Sequence, residues 1–503
     1  MMWTIVDGPQ LLAIQSNSAK SLVASLRIAH VFEQIRLGGP IYALIGLSKH
    51  LVTIKPDCHR IISLLPADPR AIRKAEAAGL TILSGPNQTT IQQELAEADI
   101  VQVHFWNNPR IYAFLRAKNP PMRTIVWCHV NGLHPPHILS QSIFDFADLV
   151  ATTSESSFSL PVLCSQPRDQ VEFINAGADF SRLDGFVPAT HDEFTVGYIG
   201  LVDFIKIHPA FVRMCAAIQV PTIRFIVCGD GDSRKEISRQ AQELGILDRF
   251  TFINYTEDVR PILSQIDVLG YPLCEETYST SELALQEAMF AGIPPVVFPH
   301  GGIDQIVSHE RNGLVAQNQV DYVRAIELLY HNPEERKRLG KNAATDADSK
   351  FGSQRTALKF EEVYARLMQK PKRYHRNSFQ HSEYKKNFST SPGAWEMIRS
   401  LDNIGDEDFL ASLTHSDTQA EVAERRISHM GPSMRNHILQ YRIYYPNDLY
   451  LRVWAGIMFS QSGRHALAAA EFKECLKNGL NYPRIRRYFN TAVSLCVNSA
   501  VKS

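Results

Sequence analysis

The chain predicts an α/β protein built from two doubly wound units in succession, followed by an all-helical region. Three observations carry this. Short apolar runs of strand length alternate with longer helical patterns from about Ser25, the alternation restarts after Phe186-Val187-Pro188-Ala189-Thr190, and it stops near Met368. Strands alternating with helices argue for parallel βαβ units. At roughly 100–200 residues per domain, 503 residues leave room for about three domains, each able to bury its own core.

In the first unit, residues 26–32 read as a strand, Gly38-Gly39-Pro40 as a turn and residues 41–51 as a helix. Residues 100–105, 124–128 and 149–152 are further buried strands. The second unit offers five strands, at 195–200, 223–229, 250–253, 268–271 and 295–298, each separated by a helix-length interval, and closes with a helix over 353–367. Two such units predict two domains facing across a cleft, a common place for a ligand. The expected division is an N-terminal extension at 1–24, α/β domains at 25–190 and 191–367, a linker at 368–394 and helices at 395–503.

Residues 370–386 carry six basic residues against one acidic and read as a solvated linker of net charge +5. From Trp395 the chain looks helical throughout. The stretch 451–476, with small residues where two helices must touch and Gly463 at the turn, resembles one tetratricopeptide unit. Pro446 and Pro483 lie 37 residues apart, near that repeat's period. A helical cap and a protein-binding module are both open readings, because one unit is fewer than a free-standing solenoid needs.

Composition narrows the function. Fifty-two basic residues balance 52 acidic ones, so no global basic excess points to nucleic acid. Eight scattered cysteines without a C-x-x-C pair fit reduced thiols of a cytoplasmic protein. No apolar run reaches the roughly 18 residues of a membrane span. A basic linker leaves peripheral contact with anionic lipid open.

The most specific segment is 275–297. A loop of hydroxyls and carboxylates (Glu275-Glu276-Thr277-Tyr278-Ser279-Thr280-Ser281-Glu282) opens an amphipathic helix, and Gly292-Ile293-Pro294 then breaks into a buried strand. Thr280-Ser281-Glu282 can cap the helix and leave its amides facing outward, a phosphate cradle. Glu287 lies among Ala, Leu and Met, so its carboxylate needs a partner, and ribose hydroxyls would supply one.

These residues resemble the C-terminal signature of the family 4 retaining glycosyltransferases of GT-B fold. The likeness extends in order through 147–155, Asn175-Ala-Gly-Ala-Asp179, Phe225-Ile-Val-Cys-Gly-Asp-Gly231, 244–250, His300-Gly-Gly302 and Asn312-Gly-Leu-Val315, and covers about residues 25–367. It implies two Rossmann-like domains, the second holding a nucleotide-sugar (UDP- or GDP-linked) as co-substrate, with no metal. It also implies site roles. Glu287 would hold the ribose, the backbone around Ser281 and Glu282 the distal phosphate, Gly39 the approach to the pyrophosphate and Lys206 the phosphate charge, with Gly200, Glu276, Ser279, Thr280 and Leu283 as further donor-binding residues. His129 matches the histidine beside the transferred sugar. A glycan or lipid-linked acceptor would enter from the first domain.

Three positions depart from the family pattern. Eight residues before Glu287 stands Ser279 where a glutamate is usual, which leaves Glu282 and Glu276 as rivals for the acid that contacts the sugar. Gly200-Leu201 replaces a Gly-Arg pair, with Arg213 too far along to be assumed its substitute. Gly301-Gly302-Ile303-Asp304-Gln305 replaces a glutamate by an amide. His30, His104 and Trp106 stand at strand ends where cleft residues collect, with a packed structural role equally open to His104. Asn131-Gly132 reads as a turn, Gly229-Asp230-Gly231 as a tight turn rather than a dinucleotide fingerprint. Pro135-Pro136 denies His129, His134 and His137 a helical metal face. Three alternatives accompany the transferase reading: another GT-B enzyme such as a phosphorylase or a sugar-nucleotide epimerase, a non-catalytic sugar-nucleotide-binding protein whose helical tail takes a protein partner, and a chain whose tail carries the main function on an α/β scaffold.

Overall fold

The computed structural model describes residues 26–51, 58–189, 191–375, 391–414 and 416–500. The predicted N-terminal extension and most of the linker lie outside these residues. The first sheet has seven strands, β1 (Ile28–Phe32), β2 (His59–Ser63), β3 (Thr81–Ser84), β4 (Ile100–Phe105), β5 (Thr124–Cys128), β6 (Leu149–Thr152) and β7 (Val171–Phe173), in the order β3-β2-β1-β4-β5-β6-β7. The second has six, β8 (Thr195–Ile199), β9 (Arg224–Cys228), β10 (Phe250–Ile253), β11 (Val268–Tyr271), β12 (Pro295–Val297) and β13 (Leu314–Val315), in the order β10-β9-β8-β11-β12-β13. Every pairing is parallel. Both sheets start at an inner strand, third in the order, and reverse direction beside it, the doubly wound arrangement whose crevice opens at the carboxyl ends of the strands. Two Rossmann-like parallel sheets result, as the alternation predicted.

Most of the strands read from the sequence are wholly buried, β9 and β10 excepted. β1, β4, β5 and β8 show no exposed residue, as expected when helices cover both faces of a parallel sheet. β2, β3, β7 and β13 escaped the sequence reading. β3 and β7 are half-exposed and β13 has two residues, so none offers a long apolar run.

The Ser353–Met368 helix corrects a boundary. The expected division gives it to the second domain, but its apolar face (Ala357, Phe360, Val363, Tyr364, Leu367) lies in the core of the first sheet with Ile28, Ile125 and Trp127. Part of the predicted linker is also held. Arg373 exchanges backbone hydrogen bonds with Met122 and pairs with Asp148 at 2.5 Å, while Lys372 donates to the carbonyl of Ala96. A buried Asp148 with 8% side-chain exposure explains why this basic stretch is fixed rather than solvated.

By compactness, both sheets form one unit and the C-terminal helices form another, together with residues 106–118 and 132–146. In the second unit the Leu449–Gln461 and His465–Lys477 helices make the predicted antiparallel pair. A Cβ on Gly456 would come within 2.7 Å of Phe472, and Gly463 turns the chain at φ 73°. Asn107 donates to the carbonyls of Pro136 and Ser400, and Arg116 pairs with Glu396 at 2.5 Å. The helices therefore pack with segments that in sequence flank β5. Among the described residues, no helix is long and apolar enough to cross a membrane.

Candidate functional site

The site is built where the loop after β11 opens the Leu283–Phe290 helix. Glu282 immediately precedes that helix at φ 46°, a left-handed conformation that costs a residue with a side chain about 1–3 kcal/mol. Its carboxylate holds the conformation. Lys206 Nζ lies 2.8 Å from it, Tyr271 Oη donates to it, and Lys206 also stands 5.6 Å over the Tyr271 ring. Burial pushes the Glu282 carboxyl up, but the Lys206 charge and hydrogen bonds from Lys206, Tyr271 and Ser279 outweigh it and hold the group below its ordinary range. Glu276 is exposed in the loop before the helix. Of the two rivals, only Glu282 is brought to Lys206.

The hydroxyls of the loop are largely spent on structure. Thr277 Oγ1 donates to Ser279 Oγ at 2.9 Å. Ser281 Oγ accepts from the Ala176 amide at 2.9 Å and donates to the Thr153 carbonyl at 3.2 Å. Thr280 is buried beside them. The backbone amides around Ser281 and Glu282 remain at the open end of the helix, where its dipole favours an anion. Leu283 faces the first domain: a Cβ on Gly39 would lie 3.9 Å from its Cδ1. Gly39 is the first residue of the Gly39–His50 helix, so two helix N-termini approach one another here.

Glu287, one turn further on, is buried, and burial pushes its carboxyl up to about 7. It pairs with Arg182, whose guanidinium also donates to the Glu257 carbonyl at 2.7 Å and lies 4.5 Å over the Tyr42 ring. Tyr42 in turn meets Tyr255, hydroxyl to hydroxyl, at 2.5 Å. The carboxylate predicted to need a partner has one from the protein, and a ribose would have to share or displace Arg182.

Glycines set the approach of the second domain's loops. A Cβ on Gly229 would fall 1.8 Å from the Gly200 carbonyl, and one on Gly231 2.2 Å from that of Val202. The Gly229-Asp230-Gly231 turn thus seats the Gly200–Lys206 loop. Gly301 and Gly302 have φ of 68° and 79°; a Cβ there would strike Thr277 at 2.8 Å and Ser154 at 2.3 Å. Arg213 is exposed on its helix and takes no part.

His129 follows β5 at the carboxyl edge of the first sheet. It is buried, its amide donates to the Phe105 carbonyl at 3.1 Å, and its Nε2 lies 2.9 Å from His104 Nδ1. Burial lowers its pKa to about 3, so the ring is neutral. Among the described residues, no group of three or more His, Cys, Asp or Glu is placed to hold a metal ion.

Three residues escaped the sequence reading. Asn131, read as a turn, is fully buried and donates to the carbonyls of Thr277 at 2.7 Å and Ser279 at 3.1 Å, while its amide donates to Tyr278. It fixes the hydroxyl loop from the first domain. Gln286 accepts from the Ala178 amide and donates to Asn175, Ala176 and Ser281, which ties the Asn175–Asp179 stretch to the helix. Arg182 is the third. Asn131 lies two residues after His129, but no spacing rule ties it to a loop some 146 residues away.

The two parallel sheets and this helix-end site define the class. Residues 182–346 match the family model described as "Glycosyl transferases group 1". A putative glycosyltransferase, EpsD, of Bacillus subtilis is 24% identical over 180 residues, 33% of this chain and 46% of that protein. A D-inositol 3-phosphate glycosyltransferase of Nocardia farcinica is 25% identical over 232 residues, 41% of this chain and 50% of that protein. The aligned part thus spans about half the length of these relatives. Among solved structures, that of Anabaena HepE in complex with UDP and glucose superimposes with a TM-score of 0.58 at 17% identity, over 68% of this chain and all of that one. Sucrose-phosphate synthase of Thermosynechococcus elongatus gives 0.55 at 19% identity over 69% of this chain. At such identities these likenesses speak for the fold.

Proposed function

We propose that the chain is a retaining glycosyltransferase that moves a sugar from a nucleotide-sugar to a glycan, lipid-linked or other acceptor. The observation that carries this reading is the buried Lys206–Glu282 pair at the open end of the Leu283–Phe290 helix, with Glu287 on the same helix. Departure of a nucleoside diphosphate leaves an electron pair and negative charge on its outer phosphate. Lys206 and the amides at the helix end are preorganised to receive that charge without solvent rearrangement. Glu287 would accept from the ribose hydroxyls, and Glu282, oriented by Tyr271, from a hydroxyl of the transferred sugar. Retention follows from the family resemblance: the acceptor oxygen attacks the anomeric carbon on the face the diphosphate leaves, and a phosphate oxygen takes its proton. Anabaena HepE, described with UDP and glucose, makes a UDP-sugar the first donor to test. The C-terminal helices serve on this reading as a tetratricopeptide-like protein-binding part of a cytoplasmic, at most membrane-peripheral, enzyme.

A second reading has one observation in its favour. Glu282 already neutralises Lys206, and Leu201 stands where a second cation is usual, which suits a protein that binds a sugar-nucleotide without turning it over. Release of nucleoside diphosphate from UDP-, GDP- and ADP-sugars, measured on the wild type and on Glu287→Ala, separates the two. Turnover by the wild type that Glu287→Ala loses is expected. Tight nucleotide binding with no turnover by the wild type would replace the enzyme reading with the second.

A further inference from the structure

Arg182 divides its guanidinium between two partners. One nitrogen donates to Oε1 of Glu287 and the other to the Glu257 carbonyl at 2.7 Å. An arginine that meets a carboxylate alone tends to grip both oxygens in parallel. Here the second arm is spent elsewhere, so Arg182 engages one oxygen of Glu287 and leaves the other. Among the described residues no hydrogen bond reaches Glu287 Oε2, although the residue is only 4% exposed. A buried carboxylate left half-satisfied is costly, and in native proteins such a group ordinarily has a reason.

The reason is legible in the count of acceptor positions. A carboxylate offers about four, and Arg182 takes one. Two hydroxyls on adjacent carbons, such as the 2′ and 3′ hydroxyls of a ribose, would find one place on Oε2 and another on Oε1 beside Arg182. The diol and the arginine are accommodated together, whereas a two-armed grip would use both oxygens. Burial pushes the Glu287 carboxyl up and the Arg182 charge draws it down, toward the acceptor-only form that a diol needs.

The one-armed geometry is itself fixed. Tyr42, in the first turn of the Gly39–His50 helix, lies under the guanidinium at 4.5 Å, and its hydroxyl meets that of Tyr255 at 2.5 Å. Lys74, on the Pro69–Ala77 helix, pairs with the Glu257 carboxylate at 2.7 Å and so steadies the residue whose carbonyl takes the second arm. Turning Arg182 onto both oxygens of Glu287 would forfeit the Glu257 bond and the ring contact.

We propose that Arg182 is a positioning residue that presents Glu287 with one oxygen free, and that this arrangement makes the site select a ribose over a 2′-deoxyribose. This selectivity rests on the reading above, in which Glu287 meets the ribose of a nucleotide-sugar. Arg182 acts through Glu287 and touches no reacting atom.

The test measures binding of UDP, GDP and ADP, and of their 2′-deoxy counterparts, to the full chain by calorimetric titration, alongside release of diphosphate from the corresponding nucleotide-sugars. The wild type is expected to bind one ribonucleotide about tenfold or more tighter than its 2′-deoxy counterpart, the scale of one hydrogen bond to a charged group. Arg182→Met is expected to reduce that ratio to about two or less by weakening the ribonucleotide alone, because the two changes then remove the same interaction. Arg182→Lys, which keeps a charge beside Glu287, is expected to recover part of the ratio. Should Arg182→Met fail to fold, Tyr42→Leu keeps both Arg182 and Glu287 and is expected to lower the ratio about threefold through loss of the ring contact. A wild-type ratio near one, an unchanged ratio in these variants, or a loss in Arg182→Met that falls equally on both members of a pair, as a merely structural role would give, would overturn the proposal. Discrimination that Arg182→Met abolishes, with no diphosphate released by the wild type, would sink the transferase reading and leave the role of Arg182 standing. A wild type that binds none of the six nucleotides would overturn both.

Discussion

The two sheet domains handle buried polarity differently. The second concentrates charge: Lys206 with Glu282 at the helix start, and Glu287, which takes Arg182 from the stretch between the sheets. Among the described residues, the first uses neutral groups instead, the row of buried histidines His59, His30, His104 and His129, joined nitrogen to nitrogen, and Asn131. Charges that meet a phosphate must be paired while they wait, because an uncompensated buried charge costs several kcal/mol. Neutral groups need no counter-charge while they wait, so they suit the side that meets a sugar and an acceptor.

Breaking the charged half is expected to have the largest effect. Lys206→Ala strands the buried Glu282 carboxylate beside Tyr271 and is expected to cost about 3–5 kcal/mol in urea unfolding as well as donor turnover. Unfolding at the wild-type midpoint would refute the pairing. Next comes the neutral half. Asn131→Ala removes two hydrogen bonds to the hydroxyl loop, and about 1–3 kcal/mol of stability is expected to go with a raised KM for donor, read by denaturation and initial rates.

A smaller effect follows from Glu287. Burial lifts its carboxyl from an ordinary 4.5 to about 7, so in the donor-free protein the carboxyl form is favoured and stability from this group falls as pH rises from 4.5 through 7. Donor binding responds the other way, because a carboxylate accepts from both ribose hydroxyls. Donor affinity is therefore expected to rise from pH 6 to pH 8, and titrations on Glu287→Gln are expected to lose that rise. The smallest effect on the site is expected from the helical unit. Arg484 is fully buried between Glu424 and Asp417, so Arg484→Ala should lower the melting temperature of that unit and leave nucleotide affinity within about twofold.

The charged half was also the more legible. An apolar helix opened by hydroxyls and closed by Gly-Ile-Pro announces itself locally, and Glu287 could be named from it, whereas Lys206 came from the family resemblance. Asn131, Arg182 and the histidine row depend on which distant strands and loops become neighbours. His59 belongs to β2, a strand the apolar pattern did not disclose because Arg60 interrupts it. A row that exists only through the register of four strands leaves no spacing in the sequence. The final helix of the α/β part was legible as a helix but not as a member of the first sheet's core, since amphipathicity states that a face is covered and not by what.

The central claim is that the Leu283–Phe290 helix end and Glu287 hold a nucleotide-sugar for transfer. Its most direct test is the release of nucleoside diphosphate from a panel of UDP-, GDP- and ADP-sugars by the wild type and by Glu287→Gln. The account predicts that one base is turned over by the wild type and that Glu287→Gln raises the KM for that donor about tenfold or more, the loss of charge-assisted hydrogen bonds to the ribose. A folded wild type that neither binds nor consumes any of these donors, or a Glu287→Gln variant with unchanged kinetics, would contradict it.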